Sequence, residues 1–375
     1  MKKLYRLDAW HKLLALRFKS LKWRHGVLIA LLILVTLTKM IPLWGFIYTT
    51  RIYPVIGTLL SPISGIFPFA VGDIFIALSI AWVILYPIYE MGWRKKMVLG
   101  RVAEYLLWVY AWFYIAWGLN YSQPNIYYRI GMKPVEVSKA KFKKFAYQYA
   151  DSLNALSIAS LSNARKSISP DSIVDDALKN RVRDAVLKEY NKIGYREGIN
   201  KPFNQHPHAK TMVFTPLSSM AGVTGSMGPF FCEFTLNGDI LAHDYPATYA
   251  HEFAHFLGVA NEGEANFYSY IVCTASADKQ VRFSGYYHIF FHVLNNVYDI
   301  LGEKEGERFL KHIRPEIIQR ARNDRYYWLS KRCKALDAAQ DFIFELYLKG
   351  NHVAEGRKSY SGVIGLILAW EEKKK

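Results

Sequence analysis

Three long apolar runs crowd into the first 120 residues of this 375-residue chain, and they limit what it can fold into. They cover about 26–48, 69–89 and 102–118. Roughly 20 apolar residues in a helix cross the hydrocarbon of a bilayer. The first run is too long for a signal-peptide core, and no small-residue cleavage site follows it. Lys39 interrupts it but can snorkel from the outer half of a span. Trp and Tyr toward the end of the third run suit an interfacial belt. Pro54, Gly57, Pro62 and Gly65 break the stretch between the first two runs, which reads as an interfacial or re-entrant piece with Arg51 its only charge.

The charge pattern sets the expected topology. The chain carries a net +17, and most of the surplus lies in two places. Residues 1–25 hold Lys2, Lys3, Arg6, Lys12, Arg17, Lys19, Lys22 and Arg24 against Asp8 alone. Arg94, Lys95, Lys96 and Arg101 form the second cluster. Each flanks an apolar run, so the surplus reads as a topology signal rather than a nucleic-acid surface, and no nucleic-acid partner is expected. Short basic loops stay in the cytoplasm. Three spans therefore imply a basic cytoplasmic segment (1–25), a membrane domain (26–120) and an extracytoplasmic domain (121–375), in a bacterial-type inner membrane. If one run is instead a buried core helix, two spans remain and the large domain is cytoplasmic.

The rest reads as a globular domain, mainly α with a small sheet. Apolar residues make up 51% of the whole chain and charged residues 21%, which excludes a disordered protein. Cys232, Cys273 and Cys333 form no CxxC, which argues against a disulfide framework or a cysteine zinc cage. Residues 138–200 alternate apolar and charged positions at helical spacing, with a polar joint at 162–171. Residues 225–228 read as a tight turn and 230–236 as a strand ended by Asn237-Gly238. From Pro246 onward the pattern is helical, and 363–370 is a packed helix too short to span a membrane.

The chemistry concentrates in His251-Glu252-Phe253-Ala254-His255. Two His four apart sit one turn apart on one helix face and can share a zinc ion, with Glu252 beside them as a base. A helix is expected there: Pro246 suits a first turn, 247–257 contains no breaker, and Gly258 is a natural stop. Catalytic zinc usually takes a third protein ligand. Glu262 and Glu264 compete, pointing about 200° apart on a helix. Asn261 is a good N-cap, which gives Glu264 a capping-box role at N3 and leaves Glu262 as the chosen ligand. The metzincin spacing fails, because position 261 is Asn rather than His. The bland alternative is a pair of core histidines with capping acids. No long apolar run contains the motif, which argues against an intramembrane protease.

With these residues in hand, the chain resembles a family of uncharacterised three-span HExxH membrane proteins catalogued as domain of unknown function 3810. The likeness runs through Arg51-Ile-Tyr-Pro54, Pro68-Phe-Ala-Val-Gly-Asp73, Trp117-Gly-Leu-Asn-Tyr121, residues 251–267, Tyr347-Leu-Lys-Gly-Asn351 and Ser359-Tyr360. It implies a zincin-like metallopeptidase domain. Glu262 with Ala265 and Asn266 also resembles the third-ligand helix of gluzincin peptidases, E-x-x-[AS]-[DN], with a shorter link from the second His than most gluzincins have.

The expected function is a membrane-anchored zinc metallopeptidase. His251, His255 and Glu262 bind Zn²⁺, Glu252 is the catalytic base, and a peptide or protein is the substrate. Tyr286, Tyr287, His288 and His292 are candidate oxyanion groups, and the strand near 233–236 could take an extended peptide by strand addition. A non-catalytic zinc-binding membrane scaffold and a zinc amidase of the cell envelope are the alternatives.

Overall fold

The computed structural model describes residues 23–90, 95–135, 138–164, 174–204, 207, 209–336, 338, 340–341 and 362–374. Nearly all of the basic N-terminal segment, Arg94, most of the 162–171 joint and the Tyr347–Asn351 and Ser359-Tyr360 motifs lie outside the described residues.

The described chain is mainly helical. The first apolar run makes α1 (Trp23–Met40), not one continuous span to Tyr48. Ile41 turns extended ahead of Pro42, because proline's ring disfavours a helical residue before it. Helix α2 (Pro42–Ile47) then runs into a π-helical turn (Tyr48–Ile52) and α3 (Tyr53–Gly65). Pro54 has no N–H to offer the Thr50 carbonyl, and Tyr53 N–H reaches Tyr48 O, five residues back.

Helices α4 (Val71–Glu90) and α5 (Lys95–Ala116) form an antiparallel pair, with Ser79 and Tyr105 hydroxyls 2.7 Å apart. Three membrane-length apolar helices were expected. Two among the described residues are long and apolar enough to cross, α1 and α4. Helix α5 is longer, at 22 residues, but Lys95, Lys96, Arg101 and Glu104 fall in its first half and dilute its hydropathy. It lies parallel to α1: Arg24 pairs with Glu104 at 2.8 Å and Lys39 Nζ meets Tyr114 Oη at 3.0 Å.

Beyond a 3-10 turn (Gly118–Ser122) come α6 (Ile126–Arg129) and two amphipathic helices, α7 (Lys139–Ala164) and α8 (Asp176–Ile193). A three-stranded sheet follows. Strand β1 (Lys210–Thr211) is separated by α9 (Thr215–Met220) from β2 (Gly225–Gly228) and β3 (Glu233–Leu236). The order is β1-β3-β2, with β1 parallel to β3 and β2 antiparallel, Gly225 opposite Leu236 and Gly228 opposite Glu233. Residues 225–228 are thus a strand, not the turn their glycines suggested. The reversal falls at 229–232 instead, where Cys232 takes a positive φ of 48°. Strand β3 is central, so both its edges are already paired, and strand addition there is excluded. Glu233 ties the sheet to the start of α4, accepting from Gly72 N at 2.6 Å and Lys210 Nζ at 2.7 Å.

The remainder is helical: α10 (Tyr245–Phe256), α11 (Glu262–Ala275), α12 (Lys279–His288), α13 (Phe290–Leu301), α14 (Glu303–His312), α15 (Pro315–Lys331) and α16 (Gly362–Lys373). Every residue of α10 is buried. One continuous core packs around it, including Tyr53 and Trp117 from the N-terminal part, Tyr190 from α8, Phe234 from β3 and Phe267 from α11. Helix α16 buries its apolar face in the same core, as its short apolar run suggested.

Candidate metal centre

Helix α10 carries the HExxH residues and ends in a Schellman motif. Gly258 sits at φ +97°, Val259 N–H bonds Ala254 O at 3.1 Å and Gly258 N–H bonds His255 O at 3.0 Å. That reversal points Val259 O at His255 Nδ1, 2.6 Å away. A carbonyl only accepts, so His255 carries its proton on Nδ1 and turns the Nε2 lone pair inward. His251 is oriented the same way, with Nδ1 2.8 Å from Asn266 Oδ1. Fixing the outer nitrogen of a ligating imidazole by a carbonyl or amide is a usual device at metal sites.

The two inward nitrogens lie 3.1 Å apart, and Glu262 Oε2 is 3.1 Å from His251 Nε2 and 3.5 Å from His255 Nε2. The three ligand atoms fall within a 4.8 Å cluster, and all three residues are at most partly exposed. Three lone pairs converging in a buried space repel one another unless a cation sits among them. Without a metal, a proton serves. Burial alone would lower His255, but the Glu262 carboxylate raises it to about 9. Burial alone would raise Glu262, but His255 and His251 hold it well below the usual carboxylate range. The donor set of two imidazoles and one carboxylate fits Zn²⁺.

The two candidate carboxylates separate as their angle on the helix required. Asn261 caps α11, accepting from Glu264 N at 3.0 Å. Glu262, in the first turn, faces the histidines. Glu264 turns away and accepts from Ile126 N at 2.9 Å and Arg129 Nη2 at 2.5 Å. The Asn261 half of the expected capping box forms, but the Glu264 carboxylate serves instead in a buried ion pair linking α11 to α6.

Glu252 lies beside the histidines and is 5% exposed. Burial raises its carboxyl above the ordinary range. Its Oε2 is buried without a hydrogen-bond partner. Strand β2 packs over it so closely that a Cβ on Gly225 would stand 2.4 Å from Glu252 Oε1.

The family described as protein of unknown function (DUF3810) matches residues 48–368. The chain belongs to this family. No curated protein and no solved structure matches it. The DUF3810 match takes in the π-helical turn, the sheet and every residue of the metal cluster, and begins after α1.

Of the four suggested oxyanion groups, this DUF3810 chain brings one to the cluster. His288 Nε2 lies 3.0 Å from Asn266 Oδ1, its ring 6.0 Å from that of His251. Burial, then His251 and His292, lowers it to about 3, so it is neutral at physiological pH. Tyr286 packs between Tyr149 and Tyr270, and Tyr287 donates to Asp324 at 2.5 Å. Burial lowers His292, whose carbonyl accepts from Asn296 within α13. Sequence reasoning missed three supporting residues. Asn266 holds two histidines at once, Gly225 shelters Glu252, and Trp117 donates from Nε1 to His255 O at 3.0 Å. Asn266 and Trp117 stood inside the motifs that carried the family resemblance, whereas Gly225 gave no signal beyond being glycine.

Proposed function

We propose that this DUF3810 protein is a membrane-anchored zinc-dependent peptidase. The observation that carries the reading is the convergence of His251 Nε2, His255 Nε2 and Glu262 Oε2 beside an unpartnered, buried Glu252 oxygen. A scaffold that held metal only for its structure would have no use for that oxygen. A Zn²⁺ ion held by the three residues would supply Lewis acidity, making water nucleophilic near neutral pH and polarising a carbonyl. Glu252 Oε2 takes the proton from the attacking water and returns it to the leaving amine. Asn266 and Val259 O keep both imidazoles in the tautomer that turns Nε2 inward. Strand β2 is an edge of the described sheet and lies over Glu252, where an extended chain would add to it. That edge favours a peptide substrate over a cell-wall fragment, the substrate of an envelope amidase.

The proposal places α1, α4 and α5 in the membrane. Helix α4 exposes Ile76, Leu78, Ile80, Ile84, Leu85 and Ile88 and buries only Gly72. A continuous apolar face of that kind is not left in water by a soluble domain. Helix α5 crosses with them although its first half is charged. Glu104 is paired with Arg24, and Arg101 donates to Tyr86 Oη at 2.8 Å, so these charges gather at one end of the bundle. The metal-bearing domain packs at the other end and lies outside the cytoplasm.

Two measurements test this. Purified full-length protein in detergent, loaded with zinc, is assayed on casein, a peptide library and peptidoglycan fragments. Peptide cleavage that Glu252→Gln abolishes supports the reading. Cleavage of peptidoglycan alone selects the amidase, and inertness toward all three overturns catalysis. Labelling of single cysteines placed at positions 92 and 195 in spheroplasts tests topology. Labelling at 92 but not 195 refutes it.

A further inference from the structure

A cavity adjoins the C-terminal end of α10. The π-helical turn and residues 257–259 enclose its volume of about 300 Å³. Its polar lining includes Thr49, Thr50, Arg51, Gln123, Arg129 and Asn200, with no Asp or Glu. Thr49 Oγ1 is buried there with no hydrogen-bond partner. A buried hydroxyl left unpaired costs about 1–3 kcal/mol, so it is expected to serve something that enters. Arg51 lines the same cavity, is exposed, and has no carboxylate partner among the described residues. Arg129, the other cation, is neutralised by Glu264, leaving Arg51 as the uncompensated charge.

The backbone around this cavity is specialised. π-Helical turns are rare and concentrate at functional sites. This one presents Thr49, Thr50 and Arg51 in succession, and Asn200 Nδ2 braces it by donating to Thr49 O at 2.8 Å and Leu257 O at 2.9 Å. Around it, Leu43, Ile47, Ile52 and Val55 are exposed and apolar, as expected of a segment lying along a membrane surface.

We propose that this cavity binds a phosphate-bearing anion, with Arg51 as the charge partner and Thr49 Oγ1 as a buried donor. The volume is at the lower end for small-molecule sites, about right for a phospholipid head group or a free phosphate ester. Arg is the side chain best matched to a phosphate's paired oxygens. The site does not depend on the metal-centre reading. It shares only a wall with it, the segment whose Val259 O orients His255.

The test is calorimetric titration of the full-length protein in maltoside micelles with inorganic phosphate, short-chain phosphatidylglycerol and short-chain phosphatidylcholine. Saturable 1:1 binding of phosphatidylglycerol or phosphate is expected, about tenfold or more weaker in Arg51→Gln and about threefold or more weaker in Thr49→Val. Arg51→Lys, which keeps the charge but loses the paired donors, should bind with an affinity between those of wild type and Arg51→Gln. Competition by phosphate identifies a free phosphate ligand, and lipid binding that phosphate does not displace identifies a head group. Phosphatidylcholine binding as tightly as phosphatidylglycerol, wild-type affinity in both Arg51→Gln and Thr49→Val, or no saturable binding of phosphate or phosphatidylglycerol overturns the proposal. Arg51 is exposed, so its variants should keep the wild-type melting temperature, which shows that any loss is local.

Discussion

Glu262 and Glu264 are two residues apart, both acidic and both near the histidines in sequence, yet the structure gives them separable tasks. Replacing Glu264 with Ala removes the partner of a guanidinium whose side chain is 3% exposed, against 7% for Glu264 itself. Breaking a buried ion pair from one side costs about 3–5 kcal/mol, because a charge is left without compensation. Ile126 N–H loses its acceptor as well, adding about 1–2 kcal/mol. A total near 5 kcal/mol is a large share of a typical stability of about 5–15 kcal/mol. At about 3 °C per kcal/mol, the apparent Tm should fall by about 15 °C. Zinc per folded chain should be unchanged. Glu262→Ala should cut bound zinc about tenfold or more. Its Tm should fall too, because the metal-free protein loses the pairing with His251 and His255. Zinc per folded chain is therefore the quantity that separates the two residues. Scanning fluorimetry and elemental analysis on the same preparations read both quantities. Glu264→Gln, which keeps the shape and one acceptor, covers the case in which the Ala variant does not fold. Loss of zinc from folded Glu264→Gln, or full zinc in Glu262→Ala, would refute the assignment.

Other consequences are simpler to check. Glu252→Gln should leave zinc content intact and lower any peptidase rate by about 10²–10⁴-fold, measured as single-turnover cleavage. Gly225→Ala should displace the Glu252 carboxylate, since the new Cβ would stand 2.4 Å from Oε1, and cost about 100-fold in rate at unchanged zinc content. Chelation should lower the apparent Tm, reversibly on adding zinc back. The shift corresponds to about 4 kcal/mol if zinc had been present at about 1,000 times its Kd.

Much of the cluster was legible because short-range spacing carried it. HExxH, the Gly258 stop and the Asn261 cap each specify local backbone, and together they fix where His251, His255 and Glu262 point. What the sequence hid was long-range. Arg129 is 135 positions from Glu264, and nothing in its tetrapeptide signals a buried partner. The glycines at 225 and 228 looked like a turn, but here they let a strand lie against Glu252 and Glu233. The expected third span fared differently: Lys95, Lys96, Arg101 and Glu104 fall in the first half of α5, and among the described residues α1 and α4 alone are long and apolar enough to cross. The motifs behind the family resemblance turn out to be braces. Gly72 N and Asp73 bond the sheet region, and Tyr53 and Trp117 reach α10.

The last of those contacts bears on how the protein can be handled. A helix leaves its final carbonyls without intrahelical partners. In α10, Phe256 O is taken by Tyr53 Oη at 2.7 Å and His255 O by the Trp117 indole, both from segments that precede residue 121. A fragment beginning at that residue would therefore carry the whole HExxH sequence without the groups that finish its helix. Soluble expression of such a fragment is a poor route to the metal centre. The segments before residue 121 are part of the histidine cluster's scaffold, and the full-length protein is the smallest sensible unit of study.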